Sequence, residues 1–383
     1  MKIIRTSTIP TSLNVFCRGL FQELKEDGYD LVAVSSPGPA LDELEKRENV
    51  RAYRVPMQRH ISPLKDLKSL WQLIRVFHKE KPEMVHSITP KAGLLSMIAA
   101  WICRVPVRLH TFTGLIFPTS TGFKQKVLIL TDRITCSCAT HIVPEGEGVK
   151  DDLLKFNITK KTLKVLGHGN IRGIDLKHYS KTSQVIEKAS EIRRSDVCTY
   201  IFVGRVVRDK GINELIRSFE LLNRKNPQTR LILVGSFEPN LDPLNPEILE
   251  EINTNPAIET VGKQNDVRPW LAASDIFVFP SYREGFPNVV IEAGAMDLPS
   301  IVTDINGSRE IIEDGKNGII IPPHDAEALY KAMLSLYQDQ EYRNKLSANA
   351  RNMIATRFEQ SYVRNCLKEY YNSIINEFVS DNF

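Results

Sequence analysis

The sequence predicts an α/β protein built from two doubly wound domains that face each other across a central cleft. Its 383 residues exceed what one ordinary hydrophobic core organises and suit two domains of typical size. Short apolar runs alternate with amphipathic stretches, which is typical of a mostly parallel sheet covered by helices. In the second half the apolar runs are nearly continuous, as expected for strands buried on both faces.

Five apolar runs in the amino-terminal half predict strands, and the segments between them predict helices. The helical stretches include Val15–Glu26 and Pro63–His78, where apolar residues recur every three or four positions. We therefore expect an amino-terminal Rossmann-like domain over residues 1–175. The predicted strands are Lys2–Thr6, Tyr29–Val34, Met84–Ser87, Val107–Thr111 and His141–Val143.

The passage between the two domains is predicted at Gly167–Tyr179, together with the polar stretch Ser180–Asp196. Gly167–Tyr179 shows neither the periodicity of a helix nor that of a strand, and it contains three glycines. A second Rossmann-like domain is expected over residues 190–358, and the carboxyl-terminal helix, 359–383, is expected to pack back on the first domain. The strands predicted for the second domain are Thr199–Val203, Arg230–Val234, Ile258–Thr260, Ile276–Pro280, Ser300–Thr303 and Gly318–Ile321.

Composition indicates a soluble or peripheral protein of a reducing compartment. Hydrophobic residues make up 42% and charged residues 25%, and the net charge of +4 excludes a strongly basic nucleic-acid binder. The six cysteines are scattered, which favours free thiols. The first residues run straight into a predicted strand, without the apolar segment of a signal peptide. The apolar run Ala92–Ile102 is too short for a bilayer, which needs about 20 residues. We therefore expect a cytoplasmic location.

Two glutamates follow a predicted strand in the segment Ser281-Tyr-Arg-Glu-Gly-Phe-Pro-Asn-Val-Val-Ile-Glu292. Open α/β sheets bind ligands at the carboxyl ends of their strands. Glu284 is expected in a tight loop and Glu292 on the first turns of a helix beginning near Val289, so that both face one ligand. A carboxylate accepts hydrogen bonds from two hydroxyls at once, which suits the diols of a ribose or hexose. The alternative interpretation is that Glu284 lies in a solvated loop and Glu292 on the surface of a helix, and that neither binds a ligand.

Two cations follow another predicted strand in Phe202-Val-Gly-Arg-Val-Val-Arg-Asp-Lys-Gly211. Arg205 presents a planar fork and Lys210 a point charge, and together they can neutralise a diphosphate. An ordinary basic turn is the alternative interpretation of this segment taken alone.

Taken with the sequence between them, the two segments resemble glycosyltransferase family 4, the retaining transferases of the GT-B fold. The resemblance covers residues from Val203 to about Gly318. It includes Leu-Ile-Leu-Val-Gly, Val261-Gly-Lys, Asp266-Val, Ala273-Ser-Asp-Ile-Phe-Val-Phe-Pro-Ser, Thr303-Asp-Ile-Asn-Gly and Glu313-Asp-Gly-Lys-Asn-Gly. It implies that the first domain binds the acceptor and the second a nucleotide-diphosphate sugar.

The resemblance also implies roles for individual residues. Arg205 and Lys210 would bind the donor diphosphate and stabilise it as it leaves, while Glu284 would contact the donor sugar and Glu292 the ribose. His110, within His-Thr-Phe-Thr-Gly, would lie near the donor sugar, although a structural histidine fits that position equally well. Further donor contacts are implied at Gly204, Gly285, Phe286, Pro287, Asn288, Val289, Val261 and Lys263.

The amino-terminal half departs from the family pattern, because Ser7–Phe16 replaces the glycine-rich loop that often follows the first strand. Ser12 and Asn14 are candidates for acceptor or phosphate contacts ahead of the predicted Val15 helix. Simple N-capping by Ser12 explains the same residues. His168 stands where the family usually has Pro-Asn-Gly, and it is interpreted either as a ligand contact or as a hinge residue.

No Asp-x-Asp metal motif stands at a convincing strand end, so we expect no required metal or other cofactor, with cations and helix N–H groups in its place. The resemblance implies transfer of a hexose or N-acetylhexosamine, with retention. The stretches His168-Gly-Asn170 and His110-Thr-Phe-Thr-Gly are similar to those of transferases in bacterial surface-polysaccharide synthesis. This similarity implies a UDP-sugar as the donor and a glycan, free or linked to a lipid diphosphate, as the acceptor in capsule or O-antigen synthesis.

A basic amphipathic stretch, residues 59–81, has Leu64, Leu67, Trp71, Ile74 and Phe77 as its apolar stripe, and residues 122–133 add Phe123 and further cations. Such helices can lie on anionic lipid at the inner face of the plasma membrane. For the apolar stripes themselves, packing on the sheet of the first domain is the favoured interpretation.

Two other functions stay open. A nucleotide-sugar epimerase can share the two-domain architecture, and a protein that binds a nucleotide sugar without catalysis needs only part of the site. A dinucleotide dehydrogenase is disfavoured, because neither half has Gly-x-Gly-x-x-Gly between a strand and a helix.

Overall fold

A computed structural model describes residues 1–58, 62–240 and 242–380, with side chains described as far as residue 377 at the carboxyl-terminal end. The start of the basic stretch (59–61) and the end of the predicted last helix (381–383) lie outside the described residues. The chain forms two compact units. One comprises Met1–Gly173 together with the chain from Ser361 onward, and the other comprises Ile174–Gln360.

The first unit contains a six-stranded parallel sheet in the order β3-β2-β1-β4-β5-β6. This is the Rossmann strand order, with its switch point between β1 and β4. The strands are β1 Lys2–Ser7, β2 Asp30–Ser35, β3 Arg51–Arg54, β4 Met84–Ile88, β5 Val107–Phe112 and β6 His141–Pro144. The helices are α1 Pro10–Phe16, α2 Leu20–Glu26, α3 Pro39–Glu48, α4 Pro63–Glu80, α5 Pro90–Ile102, α6 Gly122–Cys138 and α7 Glu147–Lys155.

The second unit repeats the same topology, in the order β9-β8-β7-β10-β11-β12, with its switch point between β7 and β10. Its strands are β7 Cys198–Val203, β8 Thr229–Val234, β9 Ile258–Gly262, β10 Ile276–Phe279, β11 Ser300–Thr303 and β12 Gly318–Ile321. Its helices are α8 Ser183–Ile192, α9 Ile212–Lys225, α10 Pro246–Thr254, α11 Arg268–Ala272, α12 Asn288–Ala295, α13 Ser308–Ile311, α14 Ala326–Gln338 and α15 Gln340–Phe358. The two parallel doubly wound sheets confirm the predicted α/β class.

The last helix, α16, spans Gln360–Ser380. Its buried Leu367, Tyr371 and Ile374 pack with α1, α2 and α3 on one face of the first sheet. On the other face, α4, α5 and α6 share a second core with the strands. Both faces of the first sheet are therefore covered, and its central strands are buried along nearly their whole length, at polar as well as apolar positions.

Local structure corrects the sequence prediction at three places. Val15–Glu26 is two helices rather than one, because the chain leaves helical geometry at Gly19, where φ is 71°. The strand β3 escaped prediction, since its residues Arg-Ala-Tyr-Arg are mostly polar and lie at the sheet edge. Part of the polar passage between the domains is the helix α8, which buries Val185 and Ala189 on its apolar side.

A fourth correction concerns the apolar stripe of α4, which was expected to pack on the sheet of the first domain. Phe77 is buried on the sheet as expected, but Leu64 is 87%, Leu67 65% and Trp71 55% exposed. Only the second half of this helix packs on the core, through Leu73, Val76 and Phe77. The interpretation that the whole stripe packs on the sheet is therefore wrong.

Candidate active site

The basic turn after β7 lies at the switch point of the second unit. Arg208–Lys210 form a single 3-10 turn, and Gly211 begins α9 with φ 69°. A Cβ added at Gly211 would lie 2.0 Å from the carbonyl oxygen of Pro280, the residue after β10. Only glycine fits this position, and its close approach sets the turn after β7 directly against the loop after β10.

The backbone of Asp209 joins the two segments. Its carbonyl oxygen accepts a hydrogen bond from Tyr282 N–H (2.9 Å), and the Ser281 hydroxyl oxygen lies 3.4 Å from it. Thr303 at the end of β11 donates its hydroxyl to the Ser281 carbonyl. Three neighbouring strand ends are thus held together by hydrogen bonds around Ser281, which is completely buried.

Lys210 and Glu284 meet inside this arrangement. Lys210 Nζ donates to Glu284 Oε1 over 2.5 Å, and the Ser281 hydroxyl donates to the same oxygen over 2.9 Å. The two charged side chains are only 12% and 18% exposed, so their attraction is screened less than that of a surface pair. The structure therefore brings together one cation and one carboxylate from the two segments that the sequence singled out.

Arg205 lies at the solvent side of the same turn. Its guanidinium is 45% exposed and pairs with Glu238 at 3.1 Å and with Asp209 at 4.0 Å. Asp209 is also 3.6 Å from Arg283, and its other oxygen, Oδ1, is buried without a hydrogen-bond partner. The shared role of Arg205 and Lys210 on a diphosphate stays a prediction.

Glu292 lies on α12, which begins at Asn288 with Pro287 as its N-cap, one residue before the predicted start. Its side chain is 8% exposed. Phe286 is buried and packs edge-on against Phe358, 5.4 Å between ring centroids. The loop 285–287 is therefore anchored, and it places the first N–H groups of α12 at the carboxyl edge of the sheet.

Gly307 confines that loop from the other side. It has φ 73°, and a Cβ there would lie 2.5 Å from the Gly285 carbonyl and 2.7 Å from Phe286 Cα. The sequence resemblance included Gly307, but nothing in its local pattern indicated which segment it would touch.

The remaining predicted donor residues follow β7 and β9 at the same edge of the sheet. Gly204 directly follows β7, and its N–H donates to the Val234 carbonyl at the end of β8. Val261 is half-buried within β9, and Lys263 is exposed just beyond it. The Val261 carbonyl accepts from the Gln264 side-chain amide over 2.6 Å. Their contacts with a nucleotide base stay a prediction.

His110 lies in the first unit, within β5 and two residues before its end. Its ring is 1% exposed, lies against Gly93 and shares a 2.8 Å hydrogen bond with the Ser87 hydroxyl. Burial lowers the pKa of His110 to about 3, so the ring is neutral at physiological pH. Its contact with the donor sugar stays a prediction.

A second histidine, His86, belongs to a buried polar network that sequence reasoning did not find. Its Nδ1 is 2.5 Å from the Tyr371 hydroxyl, which also accepts from Arg5 over 2.7 Å, and its Nε2 is 2.8 Å from the Thr111 hydroxyl. Burial and then the charge of Arg5 hold the pKa of His86 well below its usual value. Arg5, His86 and Thr111 line a small cavity, and the hydrogen bonds of Tyr371 tie α16 to the sheet.

The two amino-terminal candidates lie within α1, because that helix begins at Pro10, five residues before the predicted start. Ser12 therefore cannot N-cap a helix that begins at Val15. The Asn14 amide donates to Glu43 over 3.1 Å. The loop expected to present both residues to a phosphate is helical. The ring of His168, in the passage between the domains, is 5.9 Å from that of Tyr362.

Within the part of the chain that the structure describes, no helix is long and apolar enough to cross a membrane. No group of three or more His, Cys, Asp or Glu side chains in those residues could hold a metal ion. Independence from metals stays a prediction.

Two Rossmann-like units, with an anchored cation–carboxylate pair at the switch point of the second, define a glycosyltransferase of the GT-B class. Residues 12–169 match the family model described as "Glycosyl transferase 4-like domain", and residues 184–353 match "Glycosyl transferases group 1". The chain belongs to glycosyltransferase family 4, and it is an enzyme that transfers sugars.

Relatives of known name agree with this assignment. The chain is 34% identical over 377 residues to the "Capsular polysaccharide biosynthesis glycosyltransferase CapM" of Staphylococcus aureus, covering 98% of each chain. It is 28% identical over 347 residues to the "UDP-Gal:alpha-D-GlcNAc-diphosphoundecaprenol alpha-1,3-galactosyltransferase" of Escherichia coli, covering 88% of this chain and 87% of the relative. Alr3699/HepE of Anabaena, solved in complex with UDP, shares the fold with a TM-score of 0.81 at 18% identity, covering 97% of this chain and all of that one.

Proposed function

We propose that this glycosyltransferase moves a hexose or N-acetylhexosamine from a UDP-sugar to a glycan linked to a lipid diphosphate, with retention at the anomeric carbon. A product for capsule or another surface polysaccharide is supported by the names of the two sequence relatives. A UDP-linked donor is supported by the name of the second relative and by the UDP bound to the Anabaena structure.

The observation that carries the proposal is the contact of Lys210 with Glu284 across the β7–β10 switch point. Lys210 is held in place by Glu284 Oε1, and that oxygen is held by Ser281. A side chain fixed before the donor arrives need not be ordered during the reaction, which makes its charge more effective in catalysis. In this proposal Lys210 would neutralise the departing diphosphate.

The neighbouring groups are proposed to hold the rest of the donor. The guanidinium of Arg205 would reach the diphosphate from the solvent side of the turn, and the N–H groups at the start of α12 would contact phosphate and sugar. Glu284 would accept hydrogen bonds from the sugar and Glu292 from the ribose. Gly204, Val261 and Lys263 would contact the base and ribose. In the first unit, neutral His110 would contact the sugar.

In this scheme the acceptor hydroxyl attacks the anomeric carbon on the face from which the diphosphate departs, and its proton passes to the departing phosphate oxygen. The anomeric configuration is therefore retained. The enzyme supplies position and electrostatic stabilisation of the leaving group, which together lower barriers by several kcal/mol, on the order of those measured for oxyanion sites. No metal or other cofactor is required in this proposal.

A binding screen followed by a transfer assay tests the proposal. Among UDP, GDP and ADP, we expect UDP to raise the melting temperature most, because a ligand at 100 times its Kd stabilises by about 2.7 kcal/mol. With the UDP-sugar and a lipid-diphosphate-linked acceptor, the product is expected to keep the anomeric configuration by NMR. Stabilisation by GDP or ADP alone contradicts the donor, and an inverted product contradicts the mechanism.

The same materials separate the competing functions. Donor incubated without acceptor yields an epimeric sugar if the chain is an epimerase. Binding of UDP-sugar without any turnover indicates a protein that only binds it.

A further inference from the structure

We infer that a small cavity in the first unit binds a halide ion, such as chloride, between the Arg5 guanidinium and the Thr111 hydroxyl. The lining of this cavity includes Arg5, His86 and Thr111 from the strands and Val363 and Leu367 from α16. The cavity therefore lies between the sheet and the last helix.

The register of the sheet directs three polar side chains to the same face. Arg5 on β1 pairs with His86 on β4, and His86 pairs with Leu109 on β5, two residues before Thr111. Residues paired across neighbouring strands, and residues two apart along a strand, point to the same face of a sheet. Arg5, His86 and Thr111 therefore converge beneath α16, and each is at most 2% exposed.

Arg5 is a buried cation without an anionic partner. Its guanidinium stays charged at physiological pH. Its Nη1 donates to the Tyr371 hydroxyl, and no carboxylate pairs with it in the part of the chain that the structure describes. Arg230 in the second unit is about as buried, but it contacts the carboxylate of Glu259. Because an isolated charge is costly to remove from water, buried charges are normally paired, and the surroundings of Arg5 lack one negative charge.

The other titratable groups around Arg5 do not supply that charge. Burial raises the pKa of the Tyr371 phenol to about 12, and it also raises the pKa of the Cys17 thiol, so both groups are neutral at physiological pH. His86 is neutral as well, since burial and the charge of Arg5 hold its pKa well below the usual value. The positive charge of Arg5 is therefore not balanced by these neighbours.

The hydrogen bonds leave two donors for a ligand in the cavity. Because the Tyr371 oxygen accepts from Arg5, its hydrogen is available to His86 Nδ1, 2.5 Å away. The single hydrogen of the neutral imidazole then lies on Nε2 and is donated to the Thr111 oxygen, 2.8 Å away. The hydroxyl hydrogen of Thr111 and the Nε–H of Arg5 then have no acceptor among the described residues. Two donors and one positive charge favour an anion and repel a cation.

The size of the cavity restricts the class of anion. Its volume, about 10 Å³, corresponds to about one water-sized sphere. A monatomic halide needs little more room than this, whereas sulfate, phosphate and a diphosphate are several times larger. By compensating Arg5, a bound halide would strengthen the attachment of α16 to the sheet. The inference does not depend on the proposed function, since the donor site lies in the second unit.

Thermal unfolding of the full chain at constant ionic strength tests the site. Sodium chloride replaces sodium gluconate, whose anion is too large for the cavity. We expect the melting temperature to rise with chloride and to saturate, by roughly 5 to 10 °C at 100 times Kd, and bromide is expected to act as chloride does. Equal melting temperatures in chloride and gluconate overturn the inference, because the cavity then holds water only.

Two buried threonines of the first unit provide a variant and its matched control. Thr111→Val removes the hydroxyl donor with little change of shape, and it is expected to weaken the apparent affinity for chloride by roughly 10-fold. Thr135→Val removes an equally buried hydroxyl, which bonds to the Thr131 carbonyl on α6. The control is expected to lower the melting temperature but to keep the chloride dependence of the wild type. Equal chloride affinity in the two variants contradicts the site.

Replacing Arg5 and locating the ion directly complete the test. Arg5→Met is expected to abolish the chloride dependence, whereas Lys210→Ala, at the donor site, is expected to keep it. A dependence that Lys210→Ala abolishes and Thr111→Val keeps places the ion in the second unit and overturns the inference. If Arg5→Met does not fold, wild-type crystals soaked in sodium bromide decide. An anomalous difference peak beside Arg5 Nε and Thr111 Oγ1 supports the site, and absence of that peak contradicts it.

Discussion

Lys210 Nζ and Glu284 Oε1 lie 2.5 Å apart although 74 positions separate them in the sequence. The contact exists because β7 and β10 are neighbours at the switch point of the second sheet. The close approach of Gly211 to the Pro280 carbonyl and the hydrogen bond from Tyr282 N–H to the Asp209 carbonyl maintain it. Each of these interactions gives a measurable expectation.

Replacing the ammonium group is the most direct test. Lys210→Ala is expected to lower kcat by roughly 10²- to 10³-fold, as loss of one preorganised charge or donor does elsewhere, with little change in circular dichroism. Lys331→Ala, a control on the exposed surface of the same unit, is expected to keep wild-type turnover. Wild-type turnover in Lys210→Ala eliminates this residue from the catalytic site.

Removing the negative charge of Glu284 tests whether this residue positions Lys210. Glu284→Gln keeps the size of the side chain but leaves Lys210 without its buried counter-charge. We expect kcat/KM to fall by at least about 10-fold and stability by about 1 to 3 kcal/mol, measured by steady-state kinetics and urea denaturation. A variant with unchanged stability and kinetics contradicts the role of the pair.

Two glycines with similar φ angles distinguish the energetic cost of backbone strain from that of a close backbone contact. Gly211 has φ 69° and faces the Pro280 carbonyl, whereas Gly28 has φ 88° with nothing within 4 Å of an added Cβ. Gly28→Ala is expected to cost about 1 to 2 kcal/mol, the strain of the left-handed conformation. Gly211→Ala adds a backbone collision, so urea denaturation is expected to show a larger loss, with weaker donor binding. Equal losses contradict the close contact.

The hydroxyl of Tyr371 is expected to stabilise the first unit. Tyr371→Phe removes the acceptor of the Arg5 guanidinium inside the core, and we expect a loss of about 1 to 3 kcal/mol in thermal or urea denaturation. Tyr29→Phe is the control, since it removes an exposed hydrogen bond to Asn372 of the same helix. A loss no greater than that of the control contradicts the importance of the buried network.

The buried ring of His110 predicts a pH dependence of stability. The folded-state pKa of His110 is about 3, below its usual value of about 6.5, so the unfolded chain binds more protons between these values. Stability contributed by the neutral ring is complete above pH 6.5 and is lost as the pH falls, by about 2 kcal/mol at pH 5. Denaturation at pH 5 and pH 7.5 is expected to show a smaller difference for His110→Gln than for the wild type. If the wild type and His110→Gln lose the same stability between pH 7.5 and pH 5, His110 is not the source of the pH dependence.

Sequence patterns located the strands that carry the site, and eleven of the twelve strands in the described part of the chain begin within one residue of the predicted start. Parallel strands buried on both faces are nearly uninterrupted apolar runs, which can be recognised from the local sequence alone. The edge strand β3 has mostly polar residues, and it was missed for that reason. The break at Gly19 was missed because apolar periodicity continues across it.

The sequence by itself determined the class of fold, the segments at the strand ends and the chemistry of Arg205, Lys210, Glu284 and Glu292. Those properties depend on neighbouring residues in the chain. Only the tertiary structure decided that Lys210 meets Glu284, that Gly307 confines the loop 285–287, and that Leu64, Leu67 and Trp71 face solvent. These outcomes depend on the order of the strands and on which helix face the sheet covers, and contacts between residues distant in sequence set both.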